Sequence, residues 1–274
     1  MLIGAMNHPE RDVLDEIRWM AEMKLEFLDL TLEPPCAAPW RLDFAQIRDE
    51  LQRNNMPAVG HTAYYLPIAS PFESLRKAAV EELTNCLRAF AKVGAKWMNV
   101  HPDRYAPMHP RSFYIKRDIQ SLRELLDVAH EVGVGIMIEN LPHDFNTVEQ
   151  LGEILDEVPE IGLHLDYGHA NLEVEEHTAP SLLHAFGPRL KHVHMHDNKG
   201  GRKDLHMPLG TGTIDYRYQV ECLKGCGYDG TITLEVFADD RHYLSYSRDV
   251  LRNLWEESSA KAAEAGCDRT AAYR

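Results

Sequence analysis

The chain has 274 residues, with 29 Lys and Arg against 43 Asp and Glu, so its formal net charge is −14. That length suits one large α/β barrel or two small domains. No apolar run reaches the ~18 residues of a membrane span, and the acidic balance weighs against broad non-specific nucleic-acid binding, which runs on Lys and Arg neutralising phosphates.

The opening residues MLIGAMNHPER show no basic stretch followed by an apolar core and a cleavage site, so the expected address is the cytoplasm. Cys36, Cys86, Cys222, Cys226 and Cys267 lack a framework spacing and read as reduced thiols, with Cys222 and Cys226 expected in core packing. The 15 histidines carry more information, because imidazole is the commonest protein metal ligand.

Apolar β-type runs alternate with amphipathic helical stretches eight times. Strands are predicted over Leu2–Met6, Glu26–Leu32, Ala58–His61, Lys96–His101, Gly135–Glu139, Gly162–Asp166, Leu190–Met195 and Thr231–Val236. Helical periodicity fills the intervals, as in ERDVLDEIRWMAEM, ESLRKAAVEELTNCLRAFAKVG and SLRELLDVAHEVG. Gly94, Gly133 and Gly227 stand where helix ends favour glycine. Eight β-then-α units in about 255 residues predict an α/β protein, a single (β/α)8 TIM barrel, rather than an open sheet. No Gly-, Pro- or Ser-rich linker divides it, so one domain is expected over 1–259, with a frayed or disordered tail over 260–274.

Side-chain parity tests that barrel. Alternate strand residues face the lumen. Placing Leu163, Leu165, Val193, Met195, Ile232 and Leu234 against the helices turns His164, Asp166, His192, His194, Thr233 and Glu235 inward. The same parity turns His61, His101 and Glu139 inward. Six consecutive strands thus end in an inward His, Asp or Glu at the edge where barrel enzymes keep their chemistry. Such crowding is costly unless a cation compensates, and imidazoles with carboxylates are the donor set of a divalent metal. His169, three after Asp166, and the pair Asp204 and His206 add ligand types just past the strand ends; Gly210 and Gly212 let the last loop fold back.

The segments HTAYYLPIASP, NVHPD, IEN, LDYGHANLE, HVHMHDNKGGRKDLHMPLGTGTIDY and GYDGTITLEVF resemble the xylose-isomerase-like TIM barrels, a superfamily of sugar isomerases and 3-epimerases, inosose dehydratases and endonuclease IV-type nucleases. The resemblance runs from about Ile3 to Phe237. In its epimerase branch four residues hold one metal, at positions that correspond to Glu139, Asp166, His194 and Glu235. In its endonuclease IV branch nine residues hold three zinc ions, matched here by His61, His101, Glu139, Asp166, His169, His194, Asp204, His206 and Glu235. The resemblance therefore implies a divalent metal cofactor, Zn²⁺ or Mn²⁺, in one to three copies.

It also implies an isomerase or epimerase of a small sugar or sugar phosphate, with Glu139 and Glu235 as the catalytic bases and His101 and His169 orienting substrate hydroxyls. Glu33 and Lys199 are further substrate-binding candidates, Lys199 with Arg202 and Lys203 as a basic cluster for a phosphate. Tyr64 and Tyr65 either line the pocket or belong to the core. His164, His192 and His196 are expected to support the ligands from behind. The alternative is a multi-zinc phosphoesterase of the endonuclease IV type. Against it stand the segment MNHPERD, which lacks that branch's Gly-rich character, and TLEPPCAAPWRLD, which offers Trp40 and Arg41 but no basic and aromatic cluster to intrude into a duplex. Many relatives are dimers or tetramers, which leaves a homo-oligomer open.

Overall fold

A computed structural model describes residues 1–104 and 106–258. The predicted tail and Cys267 lie outside the described residues. Strands and helices alternate: β1 (Leu2–Met6), α1 (Val13–Glu22), β2 (Phe27–Leu32), α2 (Phe44–Arg53), β3 (Ala58–Thr62), α3 (Glu73–Val93), β4 (Trp97–Val100), α4 (Arg111–Val132), β5 (Gly135–Glu139), α5 (Val148–Leu155), β6 (Gly162–Asp166), α6 (Ala179–Phe186), β7 (Leu190–Met195), α7 (Tyr216–Gly225), β8 (Thr231–Leu234) and α8 (His242–Glu257). The strands follow one another from β1 to β8 as a closed barrel, the (β/α)8 architecture. Paired neighbours run parallel, as in β2 with β3 and β7 with β8.

Local chemistry sets the helix ends. Asp12 and Asp43 accept backbone N–H bonds at the starts of α1 and α2, each satisfying two donors that the first turn leaves open. Gly94 and Gly133 close α3 and α4 in the left-handed region, at φ 81° and 71°. Gly227 takes the same conformation one residue after Cys226, which caps α7. Cys222 is buried on α7 as expected, whereas Cys226 is exposed, because it sits past the last buried turn. No helix among the described residues is long and apolar enough to cross a membrane.

The described residues pack as two compact units, residues 4–139 with 149–162, and residues 1–3 and 140–148 with 163–258. In the first, Phe27, Val59 and Met137 form a buried cluster with Trp97 packed on it. Two residues further along the same four strands stand Asp29, His61, Asn99 and Glu139, so an apolar layer underlies a polar one. Gly60, of opposite parity, abuts the Phe90 ring of α3, where a Cβ would fall 2.6 Å from it. In the second unit the register sets Asp166 beside His194 and His194 beside Thr233. His192 lies one layer lower and bonds the hydroxyls of Thr231 (2.7 Å) and Thr233 (3.0 Å).

Candidate metal centres

In the first unit, β3, β4 and β5 bring His61, His101 and Glu139 together with ligand atoms within 4.8 Å of one another, all buried. His101 Nε2 lies 2.9 Å from Glu139 Oε2, and the Asn99 amide donates to the same oxygen at 2.6 Å. His61 Nδ1 stands 3.8 Å from Asp29 Oδ2. Tyr64 is exposed and sets its ring edge-on to His101 at 6.5 Å. Tyr65, also exposed, donates its phenol to Glu33 at 2.8 Å; burial and then that carboxylate push the phenol up to about 12. Neither tyrosine belongs to the core.

The second unit gathers the remaining candidates. Asp166 ends β6, and its Oδ1 accepts the backbone N–H of His169 at 2.6 Å. His194 Nδ1 faces Glu235 Oε2 at 3.3 Å and Asp166 Oδ2 at 3.8 Å. Asp204 Oδ2 meets His169 Nε2 at 3.2 Å and His206 Nε2 at 3.0 Å. Burial opposes the charge of Asp204, but hydrogen bonds from His169 and His206 outweigh it and hold the carboxyl far below its ordinary range. Burial likewise opposes protonation of His206, yet Glu235 and Asp204 push that ring up to about 9. Glu235 is held below the ordinary range by His206 and His194 against its own burial.

The donor set fits a divalent cation. His169 Nδ1 lies 2.9 Å from the Asn140 carbonyl and His206 Nδ1 lies 3.1 Å from the Glu235 carbonyl. A carbonyl only accepts, so each Nδ1 carries a proton and each ring turns Nε2 toward Asp204, the orientation that a metal-ligating histidine takes from its outer partner.

Three residues of this region carry more than the sequence suggests. His196, expected as a supporting residue, belongs both to a group with Asp166 and His169 and to one with His206 and Glu235. Asp197 binds the loop that carries Gly210 and Gly212, accepting from Gly210 (3.0 Å), Gly212 (2.8 Å) and Ile214 (3.3 Å). Asn198 donates to the Gly168 carbonyl at 2.8 Å. The signal for both was the Asp-Asn pair directly after His194-Met-His, which reads as ordinary turn residues. Lys199 and Lys203 are exposed, and Arg202 is paired with Glu173 at 2.8 Å.

Comparison with known proteins agrees with the fold. The family described as xylose isomerase-like TIM barrel matches residues 17–266. An L-ribulose 3-epimerase of Methylomonas sp. is 31% identical over 245 residues, covering 83% of this chain and 81% of its own. A probable endonuclease 4 of Thermotoga sp. is 27% identical over 191 residues, 62% of this chain and 66% of that protein. A solved D-tagatose 3-epimerase-like protein superposes with a TM-score of 0.82 at 24% identity, covering 96% of this chain and all of the other. The chain belongs to the xylose isomerase-like TIM barrels.

Proposed function

We propose that the chain is a divalent-metal-dependent epimerase or isomerase of a small sugar or sugar phosphate. The observation that carries the reading is the convergence of His194, Asp166 and Glu235 on β6, β7 and the end of β8, with Nδ1 of the histidine facing both carboxylates. Together with Glu139 these are the four positions that the family resemblance assigns to one ion. Bound there, a divalent ion would polarise a carbonyl and its adjacent hydroxyl and so acidify the neighbouring C–H.

The protein's own groups do the rest. The family resemblance gives the proton transfer to Glu139 and Glu235, and His206 and His194 hold Glu235 below the ordinary carboxylate range. His169, its Nδ1 proton engaged by the Asn140 carbonyl, and His101 orient substrate hydroxyls. Glu33, positioned by the Tyr65 phenol, is an acceptor for another hydroxyl. The 3-epimerase relatives support a ketose substrate and reaction beside its carbonyl.

The metal-loaded protein is therefore expected to interconvert 3-epimers in a panel of ketoses and ketose phosphates and, in D₂O, to incorporate deuterium at the inverted carbon. Absence of both exchange and epimer product would remove this reading. A second reading, a phosphoesterase, is favoured by the grouping of His169, Asp204 and His206 and by the endonuclease 4 relatives. Nicking of an abasic-site duplex by a preparation inert toward ketoses would establish it instead.

A further inference from the structure

His196 has no part in the four-residue or nine-residue ligand sets, yet its surroundings are those of a ligand. The residue is fully buried, and neither ring nitrogen makes a hydrogen bond. An imidazole without such bonds is expensive inside a protein, because its desolvated nitrogens have given up water for nothing. Its Nε2 nevertheless looks at two carboxylates, Asp166 Oδ1 at 3.3 Å and Asp204 Oδ1 at 3.6 Å, near each but bonded to neither. The ring is held in that place. A Cβ on Gly168 would fall 1.9 Å from its Cε1, the His206 ring stacks on it at 4.0 Å, and the Tyr216 phenol bonds its carbonyl at 2.6 Å.

The two oxygens of Asp166 face different histidines. Oδ2 faces His194, which also faces Glu235; Oδ1, which also accepts the His169 backbone N–H at 2.6 Å, faces His196, which in turn faces Asp204. A carboxylate set between two imidazoles, each with its own second carboxylate, is the donor arrangement of a pair of cations sharing a bridge. We infer that Asp166 bridges two divalent cations, and that His196 is a direct ligand of the second, together with Asp204.

The inference rests on the reading of this region as a metal centre and adds to it a ligand and a bridge. Its test is metal binding in the full chain, independent of turnover. The protein is loaded with Mn²⁺, freed of excess ion, and assayed for bound metal by mass spectrometry and for exchange coupling by electron paramagnetic resonance. Wild type is expected to show a coupled Mn²⁺ pair. His196→Phe, which keeps a ring but removes both nitrogens, is expected to lose one equivalent and the coupled signal while retaining the remaining metal. His196→Leu, which also has no donor atom, provides the same comparison if the Phe variant fails to fold.

Equal metal content and affinities within threefold in wild type and a folded variant would overturn the proposal. So would the absence of coupling in saturated wild type, which decides the question even if both variants misfold. A chain that binds no metal would sink this inference and the metal-dependent epimerase together. One that epimerises ketoses with a single uncoupled ion would sink this inference alone.

Discussion

Asn99 donates its side-chain amide to Oε2 of Glu139 across 2.6 Å, from β4 to β5, and both residues are buried. The same amide nitrogen stands 3.2 Å from His101 Nε2. A buried carboxylate intended as a ligand and base must be kept charged and aimed, and a fixed amide donor does both.

Asn99→Ala is accordingly expected to weaken metal binding about 10- to 100-fold, the usual cost of removing a partner that orients a ligand. Competition with a chromophoric chelator measures it. Asn99→Asp should be worse, because it sets a second carboxylate against Glu139. An affinity unchanged in both variants would show that Glu139 needs no such support.

Gly168→Ala tests how tightly His196 is held. Gly168 has an ordinary right-handed backbone, so alanine carries no conformational penalty there; the obstacle is space alone, with its Cβ 1.9 Å from the imidazole. Overpacking of this kind costs about 1–3 kcal/mol. For a protein of this size, that lowers Tm by about 2–12 °C, at roughly 2–4 °C per kcal/mol. Thermal melts with and without Mn²⁺ separate the loss of packing from a loss of metal stabilisation.

Metal removal should destabilise the fold measurably. An ion present at a hundred times its Kd contributes about 2.7 kcal/mol to the native state, which corresponds to a Tm shift of roughly 5–11 °C. Melts after dialysis against a chelator, and after restoring Zn²⁺ or Mn²⁺, give the comparison. Coincident curves would mean that these clusters take no ion of useful affinity.

Much of the architecture was legible because strand period and helix period leave different marks. Gly135–Glu139 and Leu190–Met195 begin and end where the apolar alternation does. Parity also separated His192 and Thr233, which meet inside at 3.0 Å, from Val193 and Ile232. Parity turns His196 inward with His192 and His194, but it gives only the side of a strand and not the reach of the loop beyond it. His196 follows the last residue of β7, so its approach to Asp166 depends on the path of the loop and on the bare backbone of Gly168. Asn99 was hidden for another reason: an inward amide beside a buried carboxylate has no sequence spacing of its own, since its partner comes from the next strand.

His177 supplies a pH dependence of stability. Its Nδ1 accepts the N–H of Ala179 at 3.3 Å, a cap at the start of α6, where Thr178 offers no side-chain bond. Burial pulls the ring down to about 4, from an ordinary value of 6.5. The folded protein therefore excludes a proton that the unfolded chain takes up below pH ~6.5. Stability is full above that pH, falls as pH drops toward 4, and is insensitive to this group below it. The difference is worth about 2–3 kcal/mol once partial exposure is allowed for. His177→Asn keeps an acceptor without the titration, so its Tm should decline less than wild type between pH 6.5 and 4. Parallel curves for the two proteins over that interval would assign the acid sensitivity elsewhere.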